Sequence, residues 1–453
     1  MTSTDQTATD QSALLPAATQ GLAVAPTQER PAAAPTWWIR PGLEVIDGRL
    51  RVAGRDAEAL AREHGTPLFV YDVPEATGRV RRLQAALAAT GLPYRVRFAL
   101  KAQREPAMLA ALRALGDPGT PGSVGVDVCS PDELEWVLEH GWRAEEVSYT
   151  GTNLVDADLA RILAHPVRLN VDLLSQLRRV GRLAPGRRVG LRINPRAGAP
   201  RLFVPVGSSP DEELKFGVYA SARPTKFGIY AEQLDEAVTI AREHGLRIET
   251  VGFHICHQTH TEDLDRLDQA LAVCAAMIER LQDLGCPIDE INTGGGLGEP
   301  MMEGEVDLDL EAWARVVARR LGPLGVTIAS EPGEFLFSPA AVLLAEVATV
   351  EDRLGTTFVG LNVGWNTAAL RFVWGEWVDV VPVVDPLAPR PELVAISGHI
   401  NEAPDLFAEA YPFPPVREGD VVAVLNVGGY CQAAAGRHCL RPVAPAVFFG
   451  DRL

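Results

Sequence analysis

The sequence predicts a closed (β/α)₈ TIM barrel joined to a second, discontinuous all-β domain, and three observations carry that expectation. Eight short apolar runs alternate with helical patterns between residues 95 and 332. Most of those runs end in residues suited to chemistry, as the strands of a barrel do at its active face. Beyond residue 335 helical periodicity fades, and Pro- and Gly-rich joins separate β-like runs.

Residues 1–36 are rich in Ala, Thr, Gln and Pro and lack a continuous apolar core, so a disordered tail is expected there rather than a targeting signal. Folding is expected to begin at Trp37. The stretch 37–52 and the run 67–72 are assigned to the β domain, which spans 37–70 and 336–453. The barrel takes residues 71–335. Its strands are expected at 95–100, 125–130, 147–151, 167–172, 188–194, 250–255, 290–295 and 327–332. Each is short and apolar and bounded by Gly, Asn or Pro, as strands buried on both faces are. Helices are expected at 105–115, 131–140, 230–244 and 262–284. Ser130 and Glu133 form a Ser-x-x-Glu capping box for the second of these. The insertion 196–225 reads as a surface loop. In the β domain the expected strands are 340–350, 358–363, 377–384, 392–397, 420–427 and 446–449.

The formal charge of -17 argues against a nucleic-acid partner, because binding phosphates needs a basic surface. No apolar run has the length of a membrane span. Six cysteines without a CxxC pair make no disulfide framework, which points to a reducing cytoplasm.

The strand ends carry Lys101, Asp127 with Ser130, the Thr150-Gly151-Thr152-Asn153 turn, Asp172, Asn194, His254 with His257, Gly294-Gly295-Gly296 and Glu331. Any one of these is ordinarily a cap or a turn. At one end of one barrel they describe a site with an amine, carboxylates, imidazoles and a glycine loop. Glycines at a strand end let backbone N–H groups approach an anion, usually a phosphate. Gly294-Gly295-Gly296-Leu297-Gly298 lacks the spacing of a dinucleotide fingerprint. A lysine, a phosphate cradle and a carboxylate together point to pyridoxal 5'-phosphate, whose ring accepts electrons when its nitrogen stays protonated.

Over roughly residues 65–450 the chain resembles the fold-type III pyridoxal-phosphate-dependent decarboxylases, the diaminopimelate/ornithine/arginine decarboxylase family. The motifs are Phe98-Ala99-Leu100-Lys101-Ala102, Gly125-Val126-Asp127-Val128-Cys129-Ser130 with Glu133-Leu134, Lys226-Phe227-Gly228, the glycine run, and Glu331-Pro332-Gly333. Gly398-His399-Ile400-Asn401-Glu402 with Asp405, Gly428-Gly429-Tyr430 and Arg441-Pro442 follow. The resemblance implies a cytoplasmic carboxy-lyase with Lys101 as Schiff-base lysine and His254 against the cofactor ring. Gly295, Gly296 and Tyr430, with His257, would hold the phosphate; Glu331 would pair with the pyridine nitrogen, and Asp127 would bind the cofactor. It also implies a homodimer whose partner completes the site with Asn401, Glu402 and Asp405.

Four departures bear on the substrate. Asn401 stands where the family usually has a proton-donating cysteine; His399 and water are candidate replacements. Glu334 follows Glu331-Pro332-Gly333 where the family has an arginine, and an anion there repels a distal carboxylate. His257 stands where a serine is usual. Arg371 is one residue out of register with an arginine that reads the distal carboxylate of diaminopimelate. The expected reaction is therefore decarboxylation of a specialised amino acid other than meso-diaminopimelate, a cationic side chain being one candidate. Racemisation or oxidative chemistry on the same cofactor is the alternative. A metal enzyme built on His254, Cys256, His257 and His260 has no matching outer ligand pair, so no metal is expected. A catalytically inactive binding protein is disfavoured by Lys101, Glu331 and Tyr430.

Overall fold

Eight parallel strands close on themselves in the computed structural model, which describes residues 36–120, 122–200, 224–369 and 378–450. The chain first forms a small antiparallel sheet from β1 (Leu43–Ile46), β2 (Arg49–Val52) and β3 (Arg55–Asp56). It then runs through β4 (Leu68–Asp72) and the helix Val73–Ala88. The barrel strands are β5 (Tyr94–Ala99), β6 (Gly125–Val128), β7 (Val147–Thr150), β8 (Arg168–Val171) and β9 (Arg188–Arg192), followed after the two-residue β10 (Ala199–Pro200) by β11 (Arg247–Gly252). After the short β12 (Cys256–His257) come β13 (Glu290–Asn292) and β14 (Thr327–Ser330). The ring closes where β9 pairs with β11 and β14 with β5. Residues such as Phe98, Val126, Leu169, Leu191 and Ile291 are fully buried, which is why these strands read as continuous apolar runs.

The expected helices form at Pro106–Arg113, Pro131–Glu139, Leu234–Glu243 and Leu264–Asp283. The capping box differs in one bond. Ser130 accepts from the Glu133 N–H at 3.1 Å, but the Glu133 carboxylate accepts from Cys129 N at 2.7 Å, one residue upstream of the expected donor. The strand expected at 250–255 starts earlier and ends at Gly252. Beyond it Phe253 N bonds Asn292 O, and Cys256 and His257 pair instead with β10. His254 therefore lies past the strand, on the mouth of the barrel.

The second domain is one mixed sheet: β15 (Ala341–Arg353), β16 (Thr356–Leu361), β17 (Val380–Pro382), β18 (Glu392–Ser397), β19 (Leu406–Phe413), β20 (Val421–Val424) and β21 (Ala446–Phe449), with β4 inserted between β15 and β21. The β19 strand was not expected, since Ala408-Glu409-Ala410 with a proline at 412 does not read as a strand. Its irregular register against β18 and the positive φ of Ala410 mark the strain of forming one there. The small N-terminal sheet packs Leu43, Leu50 and Val52 onto Val342, Leu344 and Val381, and Leu50 N bonds Val383 O at 2.9 Å. The tail at 1–35, most of the 196–225 insertion, and Arg371 lie outside the described residues. No helix among the described residues is long and apolar enough to cross a membrane.

The floor of the barrel is polar. Arg97 and Glu290, 2 % and 1 % exposed, make a two-pronged pair at 2.8 and 3.0 Å, with Arg95 and Arg168 at 3.3 and 3.7 Å from the same carboxylate. Burial alone raises a carboxyl's pKa, but Arg97, Arg168 and Arg95 outweigh it and hold Glu290 below the usual range. Glu290→Ala leaves a buried guanidinium unpaired and is expected to cost about 3–5 kcal/mol, read from the urea midpoint. The folded pKa is depressed, so the wild-type stabilisation is complete above the unfolded carboxyl pKa of about 4.3 and is lost as pH falls through the folded value. The variant should accordingly lose the acid-side slope of the wild type.

Candidate active site

At the opposite end of the strands a cavity of about 320 Å³ opens, lined by Lys101, Asp127, Cys129, Thr150, Arg192, Phe227, His254, Asn292 and Glu331 among others. Lys101 sits in a single helical turn, Leu100–Ala102, directly after β5. The turn is tied down on both sides: Ala99 N bonds Pro332 O at 3.1 Å, and Tyr430 N bonds Ala102 O at 2.8 Å. A lysine placed this way has its stem directed by strand geometry and its amine in the cavity.

Glu331 is fixed from two other strands, the adjacent β13 and, from further round the barrel, β7. Ser148 Oγ donates to its Oε1 at 2.9 Å, Asn292 Nδ2 donates to the same oxygen, and Asn170 in turn donates to Ser148 Oγ at 3.0 Å. Asp127 lies beside it, 5 % exposed, with Oδ1 lacking any hydrogen-bond partner. Burial first, and the Glu331 charge second, push its carboxyl well above the ordinary range, while Lys101 opposes them. The two carboxyls together offer the acceptors that a ring N–H needs.

The glycine loop closes the far side. Gly296 has φ +83, and a Cβ there would overlap the Cys256 carbonyl. A Cβ on Gly295 would stand 2.5 Å from Glu331 O. Gly295 N approaches His254 Nδ1 at 3.4 Å, a contact that suits a neutral ring. Burial drives the His254 pKa well down, helped by Lys101, Arg192 and His257. The Tyr430 hydroxyl lies against Gly333, where a Cβ would be 2.6 Å from it. These features fit a pyridoxal phosphate: an amine, a buried carboxyl with one oxygen unpartnered, a neutral flat ring and a backbone cradle that admits no side chain.

Several expected residues lie elsewhere. Glu334, expected at the substrate, is 7 % exposed and does not line the cavity; its Oε1 has no partner and its charge acts on buried Glu299. Asn401 and Glu402 are exposed and outside this chain's cavity, and Glu402 meets His438 Nε2 at 2.6 Å. Asp405 is buried, and its oxygens accept from Trp365 N at 2.8 Å and Ile400 N at 2.7 Å, so its carboxylate orders its own loop. His257 lies in β12, half-buried, beside the glycine loop rather than in the lining. His254, Cys256, His257 and His260 gather into no metal-holding group among the described residues.

The sequence reading passed over Arg192, Ser148, Asn170 and Asn292. Each is a polar residue inside or closing an apolar strand, and that alternation was the available signal. Arg192 stacks over Phe227, 4.3 Å to the ring centre, and lies 3.6 Å from Asp172, which also accepts from Thr152 Oγ1 and, at 2.8 Å, from Gly228 N.

Barrel, second β domain and site together define a pyridoxal-phosphate enzyme with a lysine on the first barrel strand. A family model described as "Pyridoxal-dependent decarboxylase, pyridoxal binding domain" matches residues 77–338. The diaminopimelate decarboxylase of Methanothermobacter thermautotrophicus is 31% identical over 412 residues, covering 89% of this chain and 91% of that one. That of Streptomyces coelicolor is 29% identical over 410 residues, covering 86% of each. Among solved structures, diaminopimelate decarboxylase from M. jannaschii superposes with a TM-score of 0.78 at 23% identity, covering 91% of this chain and 93% of that one. The lysine/ornithine decarboxylase of Vibrio vulnificus complexed with putrescine gives 0.69 at 22%, covering 86% and 96%. The chain belongs to the pyridoxal-dependent decarboxylase family, and is a pyridoxal-phosphate-dependent carboxy-lyase.

Gly296→Ala forces the loop away from Cys256. With about 2 kcal/mol of strain, cofactor binding is expected to weaken roughly 30-fold, measured by absorbance titration of the unloaded protein at unchanged circular dichroism.

Proposed function

We propose that this carboxy-lyase acts on an α-amino acid with a cationic side chain rather than on meso-diaminopimelate. The observation that carries the reading is the state of the cavity's cations. Among the described lining residues Arg192 is the sole guanidinium, and Asp172 and Phe227 already engage it. A second substrate carboxylate would find no uncommitted guanidinium among the described lining residues. Glu402, on an exposed loop and paired in this chain with His438, would have to exchange that partner to receive a substrate ammonium in a dimer, the second copy of the chain completing the cavity.

In this reading Lys101 supplies the amine that holds the cofactor covalently and yields it to the substrate. Glu331, oriented by Ser148 and Asn292, keeps a proton on the ring nitrogen, and Asp127 shares that duty. Gly295, Gly296 and Tyr430, with His257 nearby, hold the phosphate, while neutral His254 covers the ring face without competing for charge. Bound there, pyridoxal phosphate supplies the electron sink that decarboxylation requires.

A second reading, meso-diaminopimelate itself, is favoured by the activity of the relatives that share 28–31% identity. Carbon dioxide release from lysine, ornithine, arginine and meso-diaminopimelate separates the two. The expected result is a kcat/KM at least about tenfold higher for a cationic amino acid, a difference of about 1.4 kcal/mol; preference for diaminopimelate overturns it. Lys101→Ala is expected to lose both carbon dioxide release and the cofactor's near-visible absorbance band, and a variant that keeps the band removes Lys101 from its role.

A further inference from the structure

One group in the cavity wall has no task in the mechanism above. Cys129 follows β6 and lines the cavity together with Lys101. Its backbone N–H is fixed by the Glu133 carboxylate at 2.7 Å, and its Sγ lies 4.0 Å from Asp127 Oδ2. Asp127 is 5 % exposed, lines the same cavity and has one oxygen without a partner. Thiol and carboxyl thus form a short chain from the barrel interior to the cavity.

Burial pushes the Cys129 thiol far up, with the Asp127 charge acting in the same direction and Lys101 against it. It stays an S–H at neutral pH. Only a thiolate attacks an aldehyde, so a thiol held neutral can stand beside the cofactor without adding to it. It nevertheless keeps a proton to give. The Asn401 amide has none at neutral pH, and Asn401 does not reach this cavity within its own chain.

We propose that Cys129 is the catalytic acid of the decarboxylation, its Sγ–H supplying the proton taken up by the substrate carbon that has lost carbon dioxide. This rests on the decarboxylase reading of the same site. The electron pair left by the broken C–C bond forms the new C–H bond as the S–H bond breaks. The resulting thiolate takes the proton of the Asp127 carboxyl, whose neutral form is favoured by burial and by Glu331, and solvent entering the open cavity restores that proton. Charge and atoms balance with no oxidant or reductant.

The test uses the cofactor-loaded enzyme with Cys129→Ala and Cys129→Ser, quantifying carbon dioxide and amine separately. The Ala variant is expected to keep the absorbance band and a KM within about twofold while kcat falls about 100-fold, the usual scale for a lost general acid. Serine, which restores a proton at nearly the same place, is expected to recover part of that loss. A second readout needs no turnover. In cofactor-free protein, iodoacetamide labelling of Cys129 followed by peptide mass spectrometry should occur only at alkaline pH, and should move to lower pH in Asp127→Asn, where no carboxylate can form beside the thiol as the pH rises. Wild-type kcat in Cys129→Ala, or ready labelling at neutral pH, overturns the proposal. No carbon dioxide from any amino acid with the wild-type enzyme overturns the decarboxylase reading, and the proposal with it.

Discussion

The closure of β9 against β11 is the constraint on which the rest of the molecule depends. Only a closed ring brings eight strand ends to one rim, and only there do Lys101, Asp127, Arg192 and Glu331 share a cavity although 230 positions separate the first from the last. The closing ladder is irregular, with its register shifting between Ile248 and Thr250. The interior tolerates a carboxylate at each end because partners from other strands satisfy it: Glu290 by Arg97 below, Glu331 by Ser148 and Asn292 above. Breaking the ring would leave those groups buried without partners, so closure and polar satisfaction reinforce each other.

The chemistry of the rim is a set of opposed charges held in place by burial. Lysine, arginine and two carboxyls crowd into a small volume, and desolvation decides which of them stays charged. His254 is forced neutral, Asp127 is pushed towards its acid form, and Arg192 is pinned by Asp172 and Phe227. Such a site is organised before any ligand arrives, so little reorganisation remains for binding to drive.

Much of this was legible in the sequence. The barrel strands announced themselves because both of their faces are buried, and residues at their ends, such as Lys101 and Asp127, were legible for the same reason. His254 was assigned to a strand because Val251, Phe253 and Ile255 are apolar; only tertiary pairing, with Cys256 and His257 turning to β10, ends the strand at Gly252. Ser148, Asn170 and Asn292 went unread because a polar residue inside an apolar run carries no label of its purpose until the neighbouring strands are in place. Glu334 was legible as a departure but not as a buried group, and the buried carboxyl on which it acts, Glu299, lies 35 residues earlier in the chain. The strand Leu406–Phe413 was hidden by its composition, which favours other structure locally and yields to pairing with β18.

The hydrogen bond from Tyr430 N to Ala102 O joins the turn that carries the lysine to a segment lying more than three hundred residues later, in a residue whose φ is +59. Neither the barrel nor the β domain owns that turn alone. A barrel excised from this chain would keep its strands yet lose the clamp on the Lys101 turn, so the two halves have to be inherited, exchanged and engineered together. Recombination between relatives should then succeed at surface loops and fail at any crossover that separates 101–103 from 428–431.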